Sequence, residues 1–373
     1  MEKKKWVKNV PLFIVEIILL IVGICVLYFT LHVTDKDDGV KKAEIKEENI
    51  VVNEEVKEKF EKLEEQDSTQ TEEVAYTGVF NVAFFGVDSR DGSLGKGNRS
   101  DSIMICSIDM DAHEVRLISI YRDTYLNLGN DTYNKCNTAY AQGGPEQALS
   151  MINMNTDLYV TDYITVGFEG LMRAVDALGG VEMDVKEEEI VHLNNYQISM
   201  VGETTDGKNF TAEEGVDYIP VTEPGLQTLN GLQATAYCRI RYIGDDFART
   251  ERQRNLLIAM MEKGKQSSIG TLTGALNAVI PHVQTSVDVE DIIPMLGMVG
   301  DFEVTVSDGF PFAGMRNGGT IGTKGSCIVA TSLEDNARKL HELLYEGEEY
   351  EPSKELKSFS QLIEQETKDY LIY

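Results

Sequence analysis

The chain has 373 residues, 62 of them Asp or Glu against 34 Lys or Arg, and a formal charge of -28. So large an acidic surplus argues against a nucleic-acid binder, whose phosphate affinity needs Lys and Arg facing the polymer, and an apolar share of 42% excludes a wholly disordered chain. Five scattered Cys (Cys25, Cys106, Cys136, Cys238 and Cys327), with no CxxC spacing, exclude a disulfide scaffold and a structural zinc site.

Taken in chain order, the first element is apolar. Val10 to Leu31 reads VPLFIVEIILLIVGICVLYFTL, 22 residues with one charge, behind Lys3, Lys4, Lys5 and Lys8. At about 1.5 Å rise per residue this length crosses the ~30 Å hydrocarbon core. It is longer than the apolar region of a cleaved signal peptide and lacks a small-x-small cleavage site. The expected organisation is a cytoplasmic basic tail (1–9), a transmembrane helix (10–31) and an exterior remainder, because positive charge stays inside. Residues 32–75 read as an acidic, solvated stalk: between Asp35 and Glu73 there are 15 acidic and 7 basic residues and no Pro. Val52, Val56, Phe60 and Leu63 recur at helical spacing within it, which predicts a short amphipathic or self-associating helix.

A folded domain is expected over 76–350. Asn81–Asp88, Ser102–Asp109 and Glu114–Ile120 are β-rich runs that predict neighbouring strands. Helical patterns follow at Pro145–Asn155 and Phe168–Leu178, the second stopped by Gly179-Gly180 before the strand Val181–Val185. Glu187 to Pro224 is polar with little periodicity and reads as an elaborated loop. Helices are expected at Phe247–Lys265, Asp288–Gly300 and Leu333–Tyr345. Strands alternating with helices argue for an α/β layered domain with a mixed central sheet. In the tail, 351–373, Leu356, Phe359 and Leu362 share a possible helix face, leaving docking or mobility open.

Two clusters carry chemistry. The chain has 12 Arg, and five of them (Arg239, Arg241, Arg249, Arg252 and Arg254) fall within 16 residues. Arg239 and Arg241 would share a face on a strand, and Arg249, Arg252 and Gln253 a face on a helix. Guanidinium forks on two walls suit a phosphate, binding two oxygens at once with a charge that survives desolvation. The other reading is a solvated helix face paired with Asp245, Asp246 and Glu251. The second cluster lies at the ends of the first strands: Asp88, then Arg99 and Asp101, then Arg122 and Asp123. If the strands are neighbours these side chains meet at one rim, where paired carboxylates beside a phosphate suit Mg²⁺; turn residues are the alternative. GKG at Gly95–Gly97 lacks the spacing of a nucleotide P-loop. Cys106 and Cys238 are read as buried small residues.

The blocks NVAFFGVDSR, NRSDSIMI, LISIYRDTYL, NKCNTAYAQGG, VGFEGLMRAVDALGGVEMDV, LNGLQATAYCRIRY and DDFARTERQ stand in order across roughly Asn81–Tyr345. In this the chain resembles the LytR-CpsA-Psr family of bacterial envelope proteins. The resemblance implies an extracellular α/β domain that binds a polyprenyl pyrophosphate and, with Mg²⁺, moves an anionic glycopolymer such as teichoic acid or capsule onto peptidoglycan. It further implies Asp88 and Asp101 as metal ligands and, with Arg122, as catalytic groups. Arg99, Arg122, Lys135, Arg239, Arg241, Arg249 and Gln253 would bind the pyrophosphate, with Asp123 and Asp246 in support. Tyr121 stands where the family often has Pro, which puts the turn before Arg122 in question. The same residues would also serve a non-catalytic lipid-binding or regulatory envelope protein, or a polyprenyl-pyrophosphate hydrolase.

Overall fold

The structure is a computed structural model that describes residues 41–42, 47–67, 78–89, 92–202, 211–267, 271, 275, 278–287 and 303–372. The expected basic tail, the membrane span at 10–31 and the helix at Asp288–Gly300 lie outside the described residues. No helix among the described residues is long and apolar enough to cross a membrane.

The chain runs through β1 (Lys41–Lys42), α1 (Glu54–Asp67), β2 (Val79–Val87), β3 (Ser100–Asp109), β4 (Glu114–Ile120), β5 (Tyr125–Asn127), β6 (Tyr133–Lys135) and α2 (Asn137–Thr156). It continues with β7 (Asp162–Gly167), α3 (Phe168–Ala177), β8 (Val181–Val185), α4 (Glu187–Val201), β9 (Gly225–Leu229), α5 (Gly231–Cys238) and α6 (Asp245–Lys265). The last part holds β10 (Val283–Thr285), β11 (Glu303–Phe310), β12 (Arg316–Thr320), β13 (Ser326–Ala330), α7 (Leu333–Leu344), α8 (Lys354–Thr367) and β14 (Leu371–Ile372).

Seven strands form one mixed sheet in the order β1-β10-β7-β2-β3-β4-β11. β2 runs antiparallel to β3 and parallel to β7, and β4 runs antiparallel to β3 and parallel to β11. Because side chains alternate along a strand, β3 sends Met104, Cys106 and Ile108 into one core and Ile103 and Ile105 into the other. The first core is completed by α3, α5 and α6, through residues such as Val175, Tyr237 and Met260. The second is completed by α2, α7 and α8, through Leu149, Leu340 and Leu356. Helices thus cover both faces, as expected for an α-β-α layered domain, and a sheet buried on both sides explains why β3 reads as a nearly unbroken apolar run.

Antiparallel pairing of β3 with both neighbours brings the start of β3 to the ends of β2 and β4. β7 ends at the same rim, where Gly167 pairs with Val87. The β2–β3 register runs Gly86 to Ser102 and then Val87 to Ser100, so Asp101 is the extra residue of a β-bulge. Bulges re-aim a side chain, and this one turns the Asp101 carboxylate toward the rim.

Several elements differ from expectation. Glu187–Val201 is a helix, not a loop; its buried positions include Glu189 and Gln197 beside Leu193, so the apolar period is hidden by polar groups with partners. Glu189 takes hydrogen bonds from the Lys186 N–H and from Arg252 Nε, at 3.0 and 2.7 Å. α2 begins at Asn137, before the expected Pro145, and absorbs a kink at Gly144 (φ 72°). Within the stretch read as a solvated stalk, the described residues 47–60 dock instead. Ile50 and Val56 are buried, Phe60 stacks on Tyr159 at 4.6 Å, and Asn53 Nδ2 donates to the Met154 carbonyl and to Asp157. The tail docks too: Leu356 and Ile363 are buried, and Ser353 donates twice to Asp157.

Candidate functional site

Asp88 follows β2, Asp101 sits on the bulge of β3, and Arg122 and Asp123 lie in the turn after β4, which the Thr124 N–H closes on the Tyr121 carbonyl at 2.9 Å. Asp246, Arg249 and Gln253 come from the first turns of α6, and Arg239 and Arg241 from the connection between α5 and α6. Arg239 is the C-cap of α5 in helical conformation, so the strand expected for Arg239 and Arg241 is absent. Both nevertheless reach the rim, because α5 and α6 pack side by side.

At the rim, Asp101 is the hub. Its Oδ1 takes Arg122 Nη1 at 2.7 Å, its Oδ2 takes Arg241 Nη2 at 2.8 Å, and its carbonyl takes Arg249 Nη2 at 3.2 Å. Asp246 pairs with Arg249 at 2.7 Å and faces Arg122 at 3.4 Å. Lys135 bonds Asp123 at 3.1 Å, and Arg239 lies 3.6 Å from Asp88. The Arg239 guanidinium also stands 4.7 Å from the Phe168 ring centroid, a cation–π contact. Arg252 is not part of this site: it turns to Glu189 and to the carbonyls of Ile240 and Ile243, clamping the α5–α6 connection. Arg254 turns to Ser307. The helix face shared by Arg249 and the site is therefore completed by Gln253, one turn on, and not by Arg252.

Burial decides the electrostatics. For Asp101, burial pushes the carboxyl up, but Arg122, Arg249 and Arg241 together outweigh it and hold it below the ordinary range. Arg122 is likewise held up by Asp101, Asp246 and Asp123 against its own burial. Asp246 and Arg249 behave oppositely. Burial raises Asp246 despite Arg249 and Arg122, and burial lowers Arg249 to about 10 despite Asp246. The mutual attraction of this pair does not offset the cost of desolvating it. Arg249 is 2% exposed, and its Nε and Nη1 have no hydrogen-bond partner; Asp246 Oδ2 and Gln253 Oε1 are also buried without one. A charged donor left in that state lacks its acceptor.

Two cavities meet here. A polar cleft of about 1050 Å³ is lined by Asp88, Arg99, Asp101, Arg122, Asp123 and Lys135. An apolar pocket of about 110 Å³ runs inward past Phe84, Met104, Val166, Leu171, Leu256 and Leu257, with Arg239, Arg249 and Gln253 at its mouth. Asp101 and Arg241 line both.

The LytR_cpsA_psr family model matches residues 42–305. The chain belongs to this family. It is 31% identical over 225 residues to the polyisoprenyl-teichoic acid–peptidoglycan teichoic acid transferase TagU of Oceanobacillus iheyensis, covering 58% of this chain and 61% of that relative. Its fold matches TagT bound to LI-WTA (TM-score 0.56, 20% identity, 74% of this chain and 94% of that one). It also matches TagT with bound octaprenyl pyrophosphate lipid (TM-score 0.53, 20% identity, the same coverage).

In the turn before Arg122, Tyr121 is fixed on two sides. The ring packs edge-on against Phe247 at 4.6 Å, and the hydroxyl accepts from Arg316 Nη1 at 3.1 Å. Arg316 in turn lies 3.7 Å from the Phe247 centroid, so β12 buttresses α6. Other residues in the cleft were not singled out as site residues, although three of them stand in the NKCNTAYAQGG block. Asn134, Asn137 and Thr138 are ordinary polar residues, and Thr323 and Lys324 arrive from a turn nearly 200 residues beyond Lys135. Cys106 and Cys238 are buried, and burial pushes each thiol up to about 12, which suits packing and not nucleophilic attack. For Mg²⁺ the donor chemistry fits through Asp88, whose carboxylate is open to the cleft; Asp101 would contribute by sharing an oxygen already bonded to Arg122 or Arg241, with substrate phosphates and water supplying the rest of a magnesium shell.

Proposed function

We propose that the protein is a membrane-anchored phosphotransferase that moves an anionic glycopolymer, of teichoic acid or capsule type, from a polyprenyl-pyrophosphate carrier onto peptidoglycan. The observation that carries this is Arg249, a buried guanidinium with two unpartnered nitrogens at the mouth of an apolar pocket that opens into a polar cleft. An amphiphile with a pyrophosphate between an isoprenoid and a saccharide fits that order of surfaces. The named activity of the TagU relative, and the octaprenyl pyrophosphate in TagT, support the same reading. The 22-residue apolar segment at 10–31 supports an anchor that holds the domain at the outer face of the membrane, where such a lipid is presented.

The reaction follows from the groups present. A hydroxyl of the acceptor attacks the phosphorus that carries the glycopolymer, a phosphodiester forms, the bridging P–O bond breaks, and polyprenyl monophosphate leaves. Charge grows on the equatorial and leaving oxygens, so positioned cations lower the barrier more than a covalent nucleophile would. Arg122, Arg239, Arg241 and Arg249 supply them; Asp88 and Asp101 would hold Mg²⁺, which would add charge neutralisation at the phosphates. The attacking hydroxyl must lose its proton to a carboxylate. Asp101 spends both oxygens on arginines and is held acidic, which makes it a weak base. Asp88, 3.6 Å from Arg239 and more open to the cleft, is the better acceptor, through the carboxylate oxygen that would not bind the metal.

The test incubates the full chain in detergent with a polyprenyl-pyrophosphate-linked saccharide, peptidoglycan fragments and Mg²⁺, and weighs the products by mass spectrometry. A saccharide joined to the fragment through a phosphodiester is expected, and Arg239→Ala should abolish it. Free saccharide phosphate alone would mean hydrolysis, and recovery of intact lipid alone a binding protein; either result overturns the assignment.

A further inference from the structure

The polar cleft does not end at the arginines. Its far wall is made by Asn134, Lys135 and Thr138 on one side and by Thr323 and Lys324 on the other. The latter two belong to the short helical turn Gly322–Lys324 that joins β12 to β13 in a separate three-stranded sheet, β13-β12-β14. That sheet lies beyond residues 42–305, the span the family model matches. Lys324 is held in place from below. Its Nζ donates to the Tyr125 hydroxyl at 2.5 Å and sits 4.6 Å from the centroid of the same ring. Tyr125 is 1% exposed, and its hydroxyl donates to Glu366 on α8 at 2.6 Å. An ammonium has three donors; one goes to Tyr125, and Lys324 also lines the cleft. Three segments, β5, the β12–β13 turn and α8, therefore cooperate to hold one cation in the cleft that Lys135 also lines.

We propose that this far wall is a subsite for a saccharide carrying an anionic group, and that Lys324 is the residue that reads the charge. The inference rests on the proposed function, which puts the pyrophosphate at the arginines, and extends it to the sugar side. Amides and hydroxyls suit sugar hydroxyls, and an ammonium suits a phosphate or carboxylate as a point charge. An apolar isoprenoid has no place there. The anionic group comes from the first units of the donor polymer or from the acceptor fragment, and the chemistry is shared.

The experiment uses the full chain in lipid nanodiscs, comparing the unmodified protein with Lys324→Gln. The ligands are polyprenyl pyrophosphate, the same lipid bearing a neutral disaccharide, and the same lipid bearing a phosphorylated disaccharide. The KM for a carboxylate-bearing peptidoglycan fragment is measured in parallel. Lys324→Gln should leave the bare lipid and the neutral conjugate unchanged. It should weaken by about tenfold either the phosphorylated conjugate, which assigns the group to the donor, or the acceptor KM, which assigns it to the acceptor. Lys324→Arg should restore most of the loss, and both variants should melt with the parent. An equal loss for the bare lipid, or no loss for any ligand, overturns the subsite. Failure of the unmodified protein to bind any prenyl pyrophosphate overturns the functional reading itself, so the two failures are distinguishable.

Discussion

Asp101 is the residue on which the site's charge balance turns. It is largely buried, yet the three guanidinium groups on it keep it ionised. A carboxyl whose folded pKa lies below its unfolded value stabilises the fold fully above the unfolded value, here 3.8, and loses that contribution as pH falls through the folded one. The stability gap between the protein and Asp101→Asn should therefore be constant from neutral pH to about pH 5 and close below about pH 4, as followed by urea unfolding across pH. A gap that does not change down to pH 2 would mean the arginines do not stabilise the carboxylate. Composition already singled out these arginines, since five within 16 residues of an acidic chain is a departure that asks for an anion. It did not separate Arg249 from Arg252. Both stand on one helix, three apart, and what distinguishes them is Glu189, a carboxylate 63 residues upstream that reaches Arg252. Lys324 was illegible for the same reason: its partners Tyr125 and Glu366 are remote in sequence.

Elements were legible where one physical signal dominated. β4 begins and ends where its alternating pattern does, and α3 stops where Gly179 and Gly180 take positive φ. At Gly180 a Cβ would stand 2.9 Å from the Leu229 carbonyl oxygen, so the close approach of β9 also needs glycine. α4 was hidden because Glu189 and Gln197 face inward, and the docking of 47–60 was hidden because its highly charged composition masks Ile50, Asn53 and Val56 on one side. The pairing of β11 with β4 carries a subtler constraint. A Cβ at Gly309 would lie 2.1 Å from the Tyr121 hydroxyl, and Tyr121 is pinned by Phe247 and Arg316. Gly309→Ala should cost about 1–3 kcal/mol, as overpacking does. In a Tyr121→Leu background the same change should cost far less, giving a coupling that a double-mutant cycle by thermal unfolding reads directly. Strict additivity would show that the ring and the glycine are not matched.

At the scale of the molecule, the layered fold serves one end. Two cores on opposite faces of the sheet are sealed by helices, and the strand ends that remain open bring an apolar pocket and a polar cleft to a common edge at Asp101 and Arg241. The N-terminal segment and α8 close the opposite side around Asp157, which accepts from Asn53, Tyr350 and Ser353. These docked segments make residues 47–67 and 354–367 part of the domain, so a soluble fragment has to keep both. Arg249 stands at the junction with burial unfavourable to its charge and two donors unused. As half of a buried pair it adds little net stability, and its arrangement is explained by an anion that completes it.

The most direct measurement is the affinity of the full chain and its Arg249→Met variant for a polyprenyl pyrophosphate, by calorimetry, with thermal unfolding of both alongside. A site built for the anion should lose about 100-fold in affinity, or ~2.7 kcal/mol, measured below the unfolding midpoint, which should itself fall because buried Asp246 is left with Arg122 alone as its partner. Undiminished affinity in Arg249→Met would contradict the assignment of this residue to the pyrophosphate and, with it, the reading of the cleft.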